Sequence, residues 1–111
     1  MPSFADTGRS GASPRELWKL LCDPSHVTDW WAGDLPAPPR VVPAAHGNRV
    51  VIFCQASGQR YEWRLEPDGE GTRIDVVVDI PEGQAFRLDE ERELTHRSLL
   101  RLAEQPAVAP L

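Results

Sequence analysis

The sequence predicts a small α+β protein that begins with a strand and two short helices, continues as an antiparallel sheet and closes with a long helix. Apolar and charged residues alternate over 61–66 and again over 74–79, as they do in strands with one buried face. Over 88–104 the apolar residues return to helical spacing. These changes of period separate the sheet from the helices on either side of it.

Two helix-start signals follow one another closely near the N-terminus. The segment Ser13–Glu16 has serine and glutamate at capping-box spacing, with proline at the first helical position. Apolar residues at helical spacing then continue to Cys22. Asp23–Pro24 repeats the signal, and a second helix is expected to run from there to about Ala32, with Gly33 as its end. The two helices should form an elbow with almost no loop between them.

The strands are expected to form a meander. Pro2–Arg9 alternates weakly and is expected to form the first strand. After a stiff, proline-rich connector at 34–48, the segment 49–55 is nearly continuously apolar, as in a strand covered on both faces or folded around something. The two alternating strands follow, joined by the turn-forming segment Pro67–Gly71, before a helix expected over Leu88–Glu104. The charged residues interpreted as the solvent face of the sheet are Glu62, Arg64, Asp75 and Asp79.

Composition and charge limit what the chain can bind. At 111 residues it is expected to form one domain, at 1–104, followed by a flexible, proline-rich tail at 105–111. Twelve basic residues against 17 acidic ones give a net charge of −5 without any basic run, which argues against a nucleic-acid partner. No apolar stretch approaches the roughly 20 residues that span a bilayer, and the N-terminus lacks the pattern of a signal peptide. We therefore expect a cytoplasmic protein without a membrane partner.

The cysteines and histidines do not form a recognisable reactive motif. Cys22 and Cys54 are far apart and are interpreted as buried small apolar residues, not as a disulfide or as metal ligands. His26, His46 and His96 could titrate near neutral pH, but none has a carboxylate or serine at a recognisable spacing. We expect them to be solvated surface residues, and we expect no metal and no cofactor.

Four segments of the chain, in order along it, carry a resemblance to a known superfamily. Ala12–Pro24 is similar to its opening helix, and Thr28–Gly33 to its second helix, where an aromatic pair often precedes a small residue. Leu65–Ile74 is similar to its late hairpin, and Arg97–Ala103 to its closing helix. Together they resemble the START-like or SRPBCC superfamily, whose members include polyketide cyclases and dehydratases and the birch-pollen-allergen proteins.

The resemblance implies a helix-grip fold: a curved antiparallel sheet of four to six strands around the C-terminal helix, with the two short helices plugging one end. In this superfamily the space between sheet and helix is normally a hydrophobic ligand cavity. Its members usually have more strand residues where this chain has only the connector 34–48. The cavity is therefore expected to be open-sided, or small and filled, or completed by a second copy of the chain. Because exposed sheet edges invite pairing, we expect a homodimer through a sheet edge.

The implied cavity identifies candidate ligand-binding residues on three elements. One of Trp30 and Trp31 would anchor the second helix to the sheet and the other would form part of the cavity mouth; core and surface packing is the alternative. Tyr61 and Trp63 project from one face of their strand, and a buried tyrosine hydroxyl needs a partner. The complete set of candidates is Trp30, Trp31, Phe53, Tyr61, Trp63, Thr95, Ser98 and Leu102.

The closing helix carries a polar stripe of its own. By three-and-four spacing, Thr95 and Ser98 share one side of the helix with Glu91 and Leu102. Their hydroxyl groups either bond the helix backbone or touch a ligand. An inward-facing Glu91 would say more about function than the hydroxyl groups do, because a carboxyl group in an apolar cavity has a raised pKa and can serve as an acid.

Three functions remain open at this point. We expect the chain to bind an apolar or aromatic small molecule through burial of apolar surface, with Tyr61, Thr95 or Ser98 orienting it. The alternative is an enzyme of the polyketide cyclase or dehydratase type, with His26, Tyr61 and Glu91 as candidates for substitution and no catalytic residue assigned. A third interpretation is a protein-interaction module with a vestigial pocket.

Overall fold

The computed structural model describes residues 2–33, 39–43, 48–54 and 58–104. Its helices are α1 (Pro14–Cys22), α2 (Val27–Trp30) and α3 (Leu88–Ala103), with 3₁₀ turns at Pro24–His26 and Glu82–Arg87. Its strands are β1 (Ser3–Ser10), β2 (Arg40–Pro43), β3 (Arg49–Phe53), β4 (Arg60–Asp68) and β5 (Gly71–Asp79). Among these residues no helix has the length and apolar character needed to cross a membrane.

The strands of the described residues form a single antiparallel sheet in the order β1-β5-β4-β3-β2. From β2 to β5 each strand pairs with the next one along the chain, which is the predicted meander. β1 instead pairs with β5 along its whole length and forms one edge. In the register of the central pair, Tyr61 lies opposite Val78 and Trp63 opposite Val76. All four side chains are buried on the concave face.

α3 crosses the concave face and packs mainly against β1. Gly8 permits this close approach, because a Cβ atom at that position would lie 3.0 Å from Cγ of Leu99. α1 packs on the same face towards the other edge of the sheet, where it contacts β2, β3 and β4. The structure therefore confirms the predicted α+β helix-grip fold, with five strands in the described residues.

The elbow between the first two helices forms as the capping signals predicted. The Ser13 hydroxyl accepts from the backbone N–H of Glu16 at 3.2 Å, and the Asp23 carboxylate accepts from that of Ser25 at 2.9 Å. The second helix is shorter than predicted, because α2 ends at Trp30 and the next residue is extended (φ −74°, ψ 130°). The N–H of Ala32 donates to the Ser98 hydroxyl on α3 instead of continuing the helix.

The core lies between the helices and the concave face of the sheet. Trp30 meets Trp63 edge to face, with ring centroids 5.3 Å apart and planes at 81°. Such a pair contributes about 1 kcal/mol beyond the burial of its area, so it fixes α2 to β4. The largest fully buried apolar side chains are Leu17, Leu21, Trp30, Val50, Trp63, Leu65, Ile74, Val76, Ile80, Leu99 and Leu102.

Two strand predictions need correction. β3 was expected to be covered on both faces, but only Val50 and Ile52 are buried, while Val51 and Phe53 are half-buried on the convex face, which no described helix covers. The connector 34–48 contains β2, a strand hidden in the sequence by the surrounding prolines. β2 pairs only with β3, so its Pro43 lies in an edge strand, where a missing N–H is tolerated.

Some predictions fall outside the described residues. Residues 34–38 and 44–47 of the connector, residues 55–57 and the predicted flexible tail at 105–111 are among them. The prediction of a domain at 1–104 with a flexible tail therefore stays a prediction.

Candidate ligand-binding site

The inward side of α3 carries the polar stripe predicted from spacing. Glu91, Thr95 and Ser98 are at most 5% exposed, and Leu102 continues the same side. Glu91 and Thr95 are four residues apart and Thr95 and Ser98 three, so each is one turn from the next. Glu91 therefore faces inward, which is the orientation that the sequence identified as the more informative one for function.

Glu91 is held by a small network of neutral side chains. The Tyr61 hydroxyl donates to Oε2 of Glu91 at 2.7 Å, and the Gln59 amide lies 2.7 Å from the same hydroxyl. Tyrosine has one proton to donate, so the amide nitrogen of Gln59 must face it. In this orientation the nitrogen donates to Tyr61 Oη at 2.7 Å and to Glu91 Oε1 at 3.2 Å. All three residues are less than 7% exposed.

The tyrosine is a hydrogen-bond donor and not a proton source in this setting. Burial raises the pKa of Tyr61 well above its ordinary value, and the charge and hydrogen bond of Glu91 raise it further. The hydroxyl therefore keeps its proton throughout the neutral range and serves to fix the position of the carboxylate.

Trp31, the residue that follows α2, lies over this network. Its ring meets that of Tyr61 edge to face at 5.3 Å, and it remains partly exposed. Its carbonyl accepts from Arg101 at 3.1 Å, and the next N–H donates to the Ser98 hydroxyl at 2.9 Å. These contacts clamp Trp31 over the part of α3 between Glu91 and Ser98.

Thr95 lies in this part of the helix and is fully buried. Among the described residues its hydroxyl has no hydrogen-bond partner. The Ser98 hydroxyl, one turn further on, both accepts from Ala32 and donates to the carbonyl of Leu94 at 2.8 Å. Thr95 thus differs sharply from its neighbour on the same stripe. We refer to Trp31, Gln59, Tyr61, Glu91 and Thr95 as the inner polar site.

The structure brings together only some of the predicted binding residues. Trp31, Tyr61, Thr95 and Ser98 lie at or beside the inner polar site, whereas Trp30, Trp63 and Leu102 are buried in the core. Phe53 lies on the opposite, convex face of the sheet, where the Arg40 guanidinium sits 5.9 Å from its ring centroid. The structure therefore separates Phe53 from the other seven candidates.

The convex face holds a second buried carboxylate. Glu62 accepts from Arg49 at 2.7 Å, from Arg60 at 3.0 Å and from Arg64 at 2.8 Å, which leaves it 7% exposed. Burial alone would raise the pKa of Glu62, but these hydrogen bonds outweigh it and lower the pKa to about 2. Glu62 does lie on the outward face, as predicted, but three arginines cover it. We call Glu62 with Arg49, Arg60 and Arg64 the outer arginine cluster.

The two histidines of the described residues are exposed, as expected, but both have carboxylate neighbours, contrary to the prediction. His26 Nδ1 lies 2.9 Å from Asp29 and His96 Nδ1 lies 2.8 Å from Asp6. The hydrogen bond to Asp29 raises the pKa of His26. The three-residue spacing from His26 to Asp29 was a usable signal, whereas Asp6 is brought to His96 only by the packing of β1 against α3. The described residues hold no group of three or more side chains placed to bind a metal ion.

Comparison with known proteins shows the fold and not the activity. No family model matches the sequence, and no curated protein matches it. The structure of the Aha1 dimer from Colwellia psychrerythraea matches 100% of this chain and 100% of its own, with a TM-score of 0.72 at 15% identity. A protein of unknown function from Enterococcus faecalis matches 97% of this chain and 74% of its own, with a TM-score of 0.74 at 18% identity. CalU16 from Micromonospora echinospora matches 93% and 76%, with a TM-score of 0.60 at 18% identity.

Proposed function

We propose that the chain is a START-like (SRPBCC) protein that binds a small apolar or aromatic molecule at the inner polar site. The observation that carries the proposal is the partly exposed Trp31 ring, which meets the buried Tyr61 ring edge to face above the Tyr61–Glu91 hydrogen bond. Beside this pair the Thr95 hydroxyl is buried without a partner among the described residues, as are the indole N–H groups of Trp30 and Trp63 in the core.

The residues around Thr95 suit this role. Trp31 is partly exposed and offers a ring at the mouth of the site, while Tyr61 and Glu91 supply fixed polar groups deeper in. Sites for small molecules combine apolar walls with a few such groups. The core tryptophans, Trp30 and Trp63, hold α2 in place beneath.

The raised pKa of Tyr61 argues against this residue as the acid of the cyclase or dehydratase alternative. Acid catalysis needs a group that gives up its proton near the working pH. The pKa of Tyr61 is raised by burial and by Glu91, which makes its hydroxyl a poorer acid. The tyrosine is better suited to positioning the carboxylate than to proton transfer.

Location and domain organisation follow as parts of the proposal. Cys22 and Cys54 are both free, as expected of a protein in a reducing cytoplasm, but they are half-buried and not buried as predicted. We keep a single START-like domain at 1–104, supported by the helix-grip fold and by the four sequence segments that resemble the superfamily.

A titration with a neutral aromatic fluorophore, N-phenyl-1-naphthylamine, tests the proposal. We expect saturable binding, weakened about tenfold by Trp31→Ala, since roughly 1.4 kcal/mol of ring contact is lost. Phe53→Ala on the convex face is the matched control and should leave the affinity unchanged. Absence of saturable binding, or equal weakening by both variants, would contradict the proposal, as would a freshly purified protein with no bound molecule in native mass spectrometry and no binding of the fluorophore.

We further propose that the chain forms a homodimer through the β1 edge. The dimer named for the Colwellia structure supports a homodimer, without indicating which surface pairs. β1 is an edge strand of eight residues, twice the length of β2 at the other edge. The carbonyl of Pro2 accepts from the backbone N–H of Ile80, the residue after β5. Because backbone groups point alternately to the two sides of a strand, Ser3 and Ala5 direct theirs to the free edge.

The substitution Ala5→Pro tests this edge because it removes an outward N–H and spares the ladder to β5. We expect a dimer for the wild type and for Ala5→Ser, and a monomer for Ala5→Pro, by size-exclusion chromatography with light scattering. A monomeric wild type, or a dimeric Ala5→Pro variant, would rule out pairing through this edge.

A further inference from the structure

The convex face of the sheet carries apolar side chains that no described helix covers. The strand register places Val42 opposite Val51 and Val51 opposite Glu62, so these side chains form one row across β2, β3 and β4. Val42 is 39% exposed and Val51 is half-buried. Two residues further along β3, the half-buried ring of Phe53 lies on the same face. Uncovered apolar side chains with charged neighbours are typical of a surface that binds a partner.

Arginines border this apolar row on both sides. On one side, Arg40 lies opposite Phe53 and Phe53 opposite Arg60. On the other side, Arg49 lies opposite Arg64. Alternate residues of a strand are about 6.7 Å apart, so each arginine row lies within reach of a side chain that packs on the apolar row. We define the convex patch as Arg40, Val42, Arg49, Val51, Phe53, Arg60, Glu62 and Arg64.

The convex patch is positive although the whole chain is negative. Its four arginines and one glutamate give a charge of +3, against −5 for the chain. Asp79 at its border pairs with Arg60 at 3.4 Å, and counting it leaves a charge of +2. Glu66, the next outward residue of β4, lies opposite Arg73 and adds no net charge with it. A local excess of positive charge favours a partner that carries carboxylates.

Glu62 holds three of the four arginines in place. Arg49 and Arg64 each donate one N–H group to it, while Arg60 donates one to Glu62 and one to Asp79. A guanidinium has five N–H groups, so in the described part of the chain each of these arginines keeps at least three without an acceptor. Their side chains are 33% to 57% exposed. Because Glu62 already orders them, binding a further carboxylate costs less side-chain entropy.

We propose that the convex patch is a docking surface for a partner protein that presents an amphipathic helix, with an apolar stripe flanked on both sides by aspartate and glutamate. The stripe packs on the apolar row, and the flanking carboxylates bind the two arginine rows. These rows are about 13 Å apart, close to the diameter of about 10–12 Å of a helix with its side chains. The apolar row crosses three strands, about 10 Å, which two helical turns cover.

The charges of the patch favour an acidic protein over a nucleic acid. Glu62 lies at its centre and Asp79 at its border, where both repel phosphate groups. The net charge of −5 opposes a polyanion over the rest of the surface. The patch also lies on the opposite face of the sheet from the inner polar site, so this proposal does not rest on the proposed binding function.

Fluorescence anisotropy with the labelled peptide acetyl-EELLEELLEELLEE-amide tests the proposal. We expect saturable binding that Arg40→Glu weakens about tenfold, because a carboxylate then meets the acidic flank of the peptide. Arg92→Glu, at an exposed position of α3, makes the same change in net charge and should leave the affinity unchanged. Neither substitution removes a hydrogen bond to Glu62, and thermal unfolding verifies that both variants are folded.

Two further comparisons test the apolar part of the contact. Val42→Gln should weaken the peptide about threefold, whereas Leu100→Gln, at an exposed apolar position of α3, should not. The peptide acetyl-EEQQEEQQEEQQEE-amide keeps the carboxylates and lacks the apolar stripe, so it should bind at least about tenfold more weakly. Trp31→Ala should leave the affinity for the first peptide unchanged, which separates docking from small-molecule binding.

Four results would overturn the docking surface. The first is the absence of saturable binding of the leucine-containing peptide. The second is equal weakening by Arg40→Glu and Arg92→Glu, since only net charge would then matter. The third is equal binding of the two peptides, which would remove the role of the apolar row. The fourth is tighter binding of a labelled oligothymidylate than of either peptide, which would assign the patch to a nucleic acid.

Discussion

Tyr61 and Glu62 are adjacent on β4, yet they take part in two very different carboxylate clusters on opposite faces of the sheet. On the convex face, Glu62 itself is the carboxylate and three guanidinium groups surround it. On the concave face, Tyr61 and the Gln59 amide hold Glu91. The donors to Glu91 in this arrangement, the Tyr61 hydroxyl and the Gln59 amide, are both neutral.

The difference shows which cluster is complete. The oxygens of Glu62 accept three charged hydrogen bonds, and its partners reach water at the same time. Glu62 therefore needs no further donor, and the outer arginine cluster supports the sheet. Glu91 has only neutral donors and lies one turn from a buried hydroxyl without a partner in the described residues. The inner polar site is the one that a ligand can complete.

The outer arginine cluster should carry the larger effect on stability. Glu62→Gln places an amide among three arginines and should lower the free energy of unfolding by about 2 kcal/mol. Urea unfolding measures this loss. Glu66→Gln, at an exposed position on the same strand, is the control and should change stability by less than about 0.5 kcal/mol. Equal effects of the two substitutions would show that the cluster is not a stabilising unit.

The same cluster predicts a pH dependence. The pKa of Glu62 in the folded protein is lowered from 4.5 to about 2. Above pH 4.5 the carboxylate is charged in both folded and unfolded chains, so its stabilisation is present in full. As the pH falls from 4.5 towards 2, the unfolded chain takes up the proton first and the stabilisation is lost. The difference in Tm between wild type and Glu62→Gln should shrink over this window; a difference independent of pH would contradict the arginine contacts.

Within the inner polar site, Tyr61→Phe should have a moderate effect. The substitution removes a donor to Glu91 and an acceptor for Gln59, but the Gln59 amide can still reach the carboxylate. We expect a loss of about 1 kcal/mol in the free energy of unfolding, measured in urea. A gain in stability would show that Tyr61 and Glu91 are not hydrogen-bonded in solution.

The smallest effect should have the opposite sign. Thr95→Val keeps the shape of the side chain and removes the unpartnered hydroxyl, so the ligand-free protein should gain up to about 1 kcal/mol, or a few degrees in Tm. Ser98→Ala is the matched comparison on the same stripe. Because Ser98 makes two hydrogen bonds, its loss should cost about 1 kcal/mol. A destabilised Thr95→Val protein would mean that the threonine hydroxyl has a partner after all.

Local sequence signals predicted most of the fold. Serine and aspartate caps located α1 and the elbow, and the alternation around Trp63 assigned the concave face of β4 correctly. Three-and-four spacing placed Glu91 and Thr95 on one side of α3. These features depend on neighbours within one helical turn or one strand, which is the range over which a sequence pattern carries information.

The features that depend on distant contacts could not be predicted in this way. Gln59 precedes β4 without a pattern of its own and becomes part of the site only because Glu91 packs above it. Phe53 was among the cavity candidates, but a nearly continuous apolar run such as β3 does not reveal which of its faces meets the helices. The lack of a partner for Thr95 depends on how the chain packs around α3, which no spacing rule provides.

A crystal structure of the protein with bound N-phenyl-1-naphthylamine tests the central claim most directly. We expect the rings of the fluorophore to lie beside Trp31 and Tyr61 at the inner polar site. A fluorophore that is absent from the crystal or bound elsewhere on the protein would contradict the proposed binding function.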